Sequence, residues 1–142
     1  MDTRLANRLP IALFLLRLSI FAVFLVWVLD KFLNPTHTAA VFEGFYSIAI
    51  GNTVAYVLGA VQLVIIVAFV VGFLKTWSYG LVLLMHAVST VVSFQQYLNP
   101  FEGANILFFA AWPMLAACVT LFMLKSYDTR WVVDKPKPAV MA

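Results

Sequence analysis

Four long apolar stretches leave this chain few folds to choose from. They run over about residues 10–29, 54–74, 79–98 and 104–124. A helix needs about 20 apolar residues to cross about 30 Å of bilayer hydrocarbon, and each stretch is long enough. Of the 142 residues, 64% are hydrophobic and 11% charged. A soluble domain is about half apolar and about a quarter charged, so this chain cannot cover a water-facing surface. Disorder, nucleic-acid binding and a disulfide scaffold fall away with the same figures, because they need abundant charge or several cysteines. The expected fold is all-α, an integral membrane four-helix bundle over residues 1–127 with a polar tail over 128–142.

Arg4 and Arg8 precede the first apolar run as they would in a signal peptide. The run is longer than a signal core and no small-residue cleavage site follows, so a retained helix is expected. Arg4, Arg8, Lys75, Lys125, Arg130, Lys135 and Lys137 fall at the N-terminus, in the second loop or in the tail. The first and third loops offer only Lys31. That asymmetry puts both termini in the cytoplasm by the positive-inside rule. It also turns a net charge of +3 from a nucleic-acid signal into a topological one. The tail, with Pro136 and Pro138, reads as a mobile cytoplasmic end.

The outer loops repeat a short pattern, Phe32-Leu33-Asn34-Pro35 and Tyr97-Leu98-Asn99-Pro100. In each copy Asn is placed to cap a helix that begins with proline, where the missing N–H costs nothing. The first copy predicts a short helix from Pro35 to about Tyr46. Its Phe42, Phe45 and Tyr46 would rest on the membrane surface or over the bundle mouth. In the second copy Glu102 holds the capping-box position, so a tight turn should lead straight into the fourth span. The pairing hints at two similar helix pairs.

Polar groups inside spans are costly and therefore candidate sites. Counting from the span ends sets Arg17 and His86 at nearly one depth, slightly cytoplasmic of the midplane, with Gln62 near the midplane. An arginine there costs about 2.5–3.5 kcal/mol, and no span carries a carboxylate to pair with it. Its expected partners are Gln62, backbone carbonyls, a neutral His86 or a bound ligand; snorkelling to the cytoplasmic interface is the plainer alternative. His86, Ser89, Thr90, Ser93 and Tyr97 share one helical face, as do Asn105, Phe109, Trp112 and Ala116. Together they suggest a polar, aromatic-sided cavity open to the outside. The alternative for the hydroxyl stripe is bonding to its own backbone. For His86 it is packing, with metal or haem ligation disfavoured because the other histidine, His37, lies in an outer loop. Asp30 and Lys31 are expected to pair at the mouth, and Trp112-Pro113 to kink the fourth span. A lone cysteine, Cys118, leaves no dithiol centre.

Arg17 is followed fourteen residues later by Lys31 and then Pro35, and Gln62 is followed ten residues later by Gly72. This layout, from about Ile11 to Lys125, resembles the DoxX-like small four-helix membrane proteins. Phe21 and Val28 stand where that family tends to glycine, and Gln62 where it tends to glutamate. The resemblance implies a bacterial inner-membrane protein associated with redox systems, one branch being a subunit of a thiosulfate:quinone oxidoreductase.

The expected function is an integral membrane subunit or accessory protein of a respiratory or redox complex. In that reading Arg17, Gln62, His86 and Trp112 hold a quinone head group or another small polar ligand. Partners would be the lipid bilayer and other membrane subunits, not nucleic acid. The rivals are a purely structural subunit and a small transporter or channel that uses the hydroxyl stripe.

Overall fold

A computed structural model of the chain describes residues 3–134. Residues 135–142 of the expected mobile tail, with Lys135, Lys137 and both tail prolines, lie outside the described residues. Within them, every regular element is helical. Helix α1 is Thr3–Leu33, α2 Pro35–Tyr46, α3 Asn52–Val70, α4 Lys75–Val92, α5 Phe94–Leu98 and α6 Ala111–Met123; a 3-10 turn, Asn105–Ala110, leads into α6.

Three stretches, Ala6–Leu33, Asn52–Val70 and Asn105–Met123, are long and apolar enough to cross a membrane. The third expected span, 79–98, is not among them. Its helix starts at Lys75, carries Thr76, Ser78, His86, Ser89 and Thr90, and breaks at Ser93. The break has a local cause. Thr90 Oγ1 donates to the His86 carbonyl at 2.8 Å and Ser93 Oγ to the Ser89 carbonyl at 2.9 Å. Such back-bonding competes with the helix ladder and bends it.

α1 begins well before the expected start at residue 10 and carries Pro10 inside it. Its apolar part, Ala6–Leu33, has 28 residues. At 1.5 Å per residue that is about 42 Å, about 12 Å more than bilayer hydrocarbon. The overhang decides where Arg17 lies. Leu13, Arg17, Ile20, Val28 and Lys31 recur at helical spacing and are all buried, so one stripe of α1 faces inward.

The core joins Leu13, Ile20 and Val28 of α1 to Ile66 and Phe69 of α3, Tyr79 and Val82 of α4, and Cys118 and Leu121 of α6. α1 packs along α3, α3 against α4, α4 along α6, and α6 back against α1. Gly59 permits the first of these contacts, since a β-carbon there would lie 2.9 Å from Phe32 Cζ. α2 has the expected bounds and lies against α1 and α3. Its Phe45 ring meets Phe108 of the 3-10 turn at 5.8 Å, which favours the mouth over the membrane surface as its resting place.

The second Asn-Pro copy folds differently from the first. No helix begins at Pro100; Asn99 accepts from Glu102 N at 3.2 Å and from Asn105 Nδ2 at 2.9 Å. Gly103 sits at φ +53, a conformation that stops a helix. The connection is tight, as expected, but it is a turn rather than a capped helix start. Asn34 does precede α2, though its side chain makes no cap hydrogen bond.

Candidate functional site

The inward stripe of α1 carries Arg17, midway along that helix, to the level where α3 turns into α4. There the guanidinium is fully buried and so is its ion-pair partner, Asp128. Arg17 Nη1 donates to Asp128 Oδ2 at 2.9 Å and to the Tyr79 hydroxyl oxygen at 3.1 Å. Tyr79 in turn donates to Asp128 Oδ2 at 2.7 Å. Arg17 Nη2 donates to the carbonyls of Arg130 at 2.7 Å and Trp131 at 3.1 Å. Four acceptors therefore converge on one guanidinium in the interior, where a charge persists only if it is paired and hydrogen-bonded.

The backbone carbonyls expected among its partners are there, in Arg130 and Trp131, but neither Gln62 nor His86 is. The carboxylate that no span supplies comes from the segment after α6. The chain leaves α6 at Met123, turns through residues 124–127 and lays Asp128–Asp134 across the helix ends as a strap. Lys75 Nζ donates to the Asp128 carbonyl at 2.8 Å. Val133 N bonds the Val71 carbonyl at 2.9 Å and Asp134 N the Gly72 carbonyl at 3.1 Å. The part of the expected mobile tail from Asp128 to Asp134 is thus tied down.

The other expected site residues lie elsewhere. His86, on the buried stripe of α4, bonds the Ala111 carbonyl through Nε2 at 2.9 Å, which fixes a proton on that nitrogen. Phe24 meets its ring edge-on at 6.3 Å. Seven residues separate His86 from Tyr79 on α4, a rise of about 10 Å, so the histidine stands about two turns away from the arginine centre. Gln62 is partly buried on α3. Trp112 is half exposed at the other end, tilted against Tyr97 at 5.5 Å, with Phe109 edge-on to the same Tyr97 at 5.5 Å. The structure brings Trp112 and Phe109 together, and Arg17 joins neither that pair nor His86.

The hydroxyl stripe splits. Thr90 and Ser93 face inward and bond their own helix, whereas Ser89 is exposed. At the mouth, Asp30 pairs with His37 at 2.7 Å rather than with Lys31. Lys31 turns inward instead and donates to the Trp27 carbonyl at 3.0 Å. Among the described residues no cluster of three His, Cys, Asp or Glu side chains could hold a metal ion. Two surface concavities are defined by Leu63, Val67 and Val133 on one side and by Pro10, Ser126 and Tyr127 on the other. Neither is lined by Arg17, Gln62, His86 or Trp112.

Sequence reasoning missed Asp128 and Tyr79. The available signal was the length of α1, which outruns its shorter neighbours and sets Arg17 level with their ends, near the acid that follows α6. Comparison with known proteins finds no family model, curated protein or solved structure that matches this chain.

Proposed function

We propose that this chain is a four-helix integral membrane protein, both termini cytoplasmic, that serves as a non-catalytic accessory subunit of a larger membrane complex. One observation carries the reading: the charged and imidazole groups of the interior are held by protein partners while the outside is apolar, although Arg17 Nε and Asp128 Oδ1 are left without a hydrogen-bond partner. Arg17 is taken by Asp128, Tyr79 and two carbonyls, and His86 by the Ala111 carbonyl. Outward stand Val26 on α1, Val64 on α3, Val91 on α4 and Met123 on α6, all exposed. Such a surface suits lipid or neighbouring apolar helices rather than water. The fourth crossing is α4, short and polar inside, which three more apolar neighbours would screen.

The resemblance to DoxX-like proteins supports a redox assembly of the bacterial inner membrane as the partner. Quinone binding by Arg17 and His86 has no such support. Both terminal nitrogens of the arginine and Nε2 of the histidine already serve protein acceptors, and only the buried Arg17 Nε is left without one.

Alkaline extraction and native electrophoresis of gently solubilised membranes test the proposal together. The chain should stay with the membrane pellet and then migrate in a band well above its own size. Release by alkali overturns the membrane reading, and migration as a single chain overturns the subunit reading. Maleimide labelling of single cysteines at Lys75 and Glu102 should report opposite sides of the membrane.

A further inference from the structure

The strap has a strained residue that the Arg17–Asp128 pair alone does not require. Trp131 sits at φ 47, in the left-handed region that bulky side chains rarely adopt. The residue is nevertheless 69% exposed, and Arg130 beside it is exposed as well. Arg17 Nη2 takes the carbonyls of both residues, so their backbone faces inward. The two side chains are thereby turned outward.

Two rings then lie between two guanidinium groups, from the interior to the surface. The Arg17 guanidinium lies 5.4 Å from the Phe14 ring centre, Phe14 meets Trp131 at 4.7 Å, and the Arg130 guanidinium covers Trp131 at 5.0 Å. Among the described residues Asp128 pairs with Arg17 and Asp30 contacts His37, so Arg130 has no carboxylate partner there. Lys75 and Lys125 add positive charge on the same end, and Trp77 is 72% exposed beside them. Strain at a residue held by its surroundings points to a function for what it presents. Here Trp131 presents an indole of the kind that settles at headgroup depth, and on it lies the planar guanidinium fork of Arg130, which matches phosphate oxygens.

We propose that Arg130 and Trp131 form a binding site for the phosphate of an anionic phospholipid, displayed at the membrane surface by the buried Arg17. The guanidinium pairs with the phosphodiester, the indole lies along the glycerol and upper acyl region, and Lys75 and Lys125 supply the field that selects an anionic lipid. Arg17 is a positioning residue. This site rests on the membrane reading above, and its test separates the two.

Alkali-washed membranes report insertion for the wild type and for Arg130→Gln, which keeps the backbone carbonyl that Arg17 needs. Protein purified in detergent and mixed with phosphatidylglycerol or phosphatidylcholine is then weighed by native mass spectrometry. The wild type should retain phosphatidylglycerol about fivefold better than Arg130→Gln, the effect of about one basic residue at a membrane surface. Trp131→Leu should lose part of that retention, and millimolar inorganic phosphate should not displace the lipid. Equal retention by wild type and Arg130→Gln, or equal retention of both lipids, overturns the site. Displacement by inorganic phosphate overturns it in favour of a free anion. A chain that stays in washed membranes yet shows no lipid preference loses this site and keeps the membrane reading; one released by alkali loses both.

Discussion

Gly72 and Val132 approach so closely that residue 72 has no room for a side chain. A β-carbon on Gly72 would stand 2.6 Å from Val132 Cγ1 and 3.0 Å from Arg17 Nη1, and the backbone there has φ +64. The turn after α3 is therefore shaped around the strap and the arginine at once. Gly72→Ala should cost about 1–2 kcal/mol for the left-handed backbone and about 1–3 kcal/mol for overpacking. A lower midpoint of unfolding in mixed detergent micelles is the expected result. A midpoint within error of the wild type would show that the strap does not rest on this glycine.

His86 joins α4 to the start of α6 through the Ala111 carbonyl. His86→Phe fills the volume but leaves the carbonyl short of one donor, a loss of about 1–3 kcal/mol. His86→Gln, which offers a donor, should recover part of it. Quinone extracted from the solubilised complex should be the same for all three proteins. A drop in quinone confined to the His86 variants would revive a ligand role for this residue.

Thr90 and Ser93 spend their hydroxyls on the carbonyls four residues earlier. Thr90→Ala and Ser93→Ala should each change stability by less than about 1 kcal/mol, as is common for polar side chains in membrane helices. Solute flux into liposomes should be equally low for both variants and the wild type. Measurable flux abolished by either substitution would favour the transporter rival over the subunit.

Much of the fold is legible in the residues, for reasons that differ by element. α2 is readable to its bounds because Asn34-Pro35 marks a start that only local geometry decides. The same pair at Asn99-Pro100 misleads, because Gly103 and the Asn105 side chain offer the chain a turn instead. The inward stripes of α1 and α4 follow from spacing, so Arg17 and His86 are rightly read as inward-facing. What those residues bond to is another matter. Asp128 lies 111 residues from Arg17 along the chain, outside every apolar stretch, and no periodicity links a tail acid to a helix interior. Counting depth from apolar runs fails for the same reason: α1 overhangs its neighbours, and a run's end marks composition rather than level.

Tyr46, at the end of α2, provides a pH test of how that helix lies. Burial raises its hydroxyl above the ordinary value for a phenol. A group raised in the fold contributes stability below its unfolded pKa, about 10, and that contribution is lost as pH climbs through the folded value. Unfolding midpoints should therefore fall more steeply above about pH 10 for the wild type than for Tyr46→Phe. Parallel curves for the two proteins would mean that α2 leaves Tyr46 in water.

Arg17 and Asp128 should be strongly coupled, since each leaves a buried charge when the other is removed. Asp128→Asn or Arg17→Met alone should cost about 3–5 kcal/mol. The double variant should cost less than the sum, with a coupling of about 1–3 kcal/mol, because it buries no lone charge. It will not return to wild-type stability, as the Arg130 and Trp131 carbonyls lose their donor whenever Arg17 is replaced. Trypsin gives an independent reading, because the bond after Arg130 follows a carbonyl that Arg17 holds. Cleavage there should be slow in the wild type and fast in both single variants. Equal cleavage rates with additive stabilities would mean that the strap is held by its Val71 and Gly72 backbone bonds alone and that the buried pair does not anchor it.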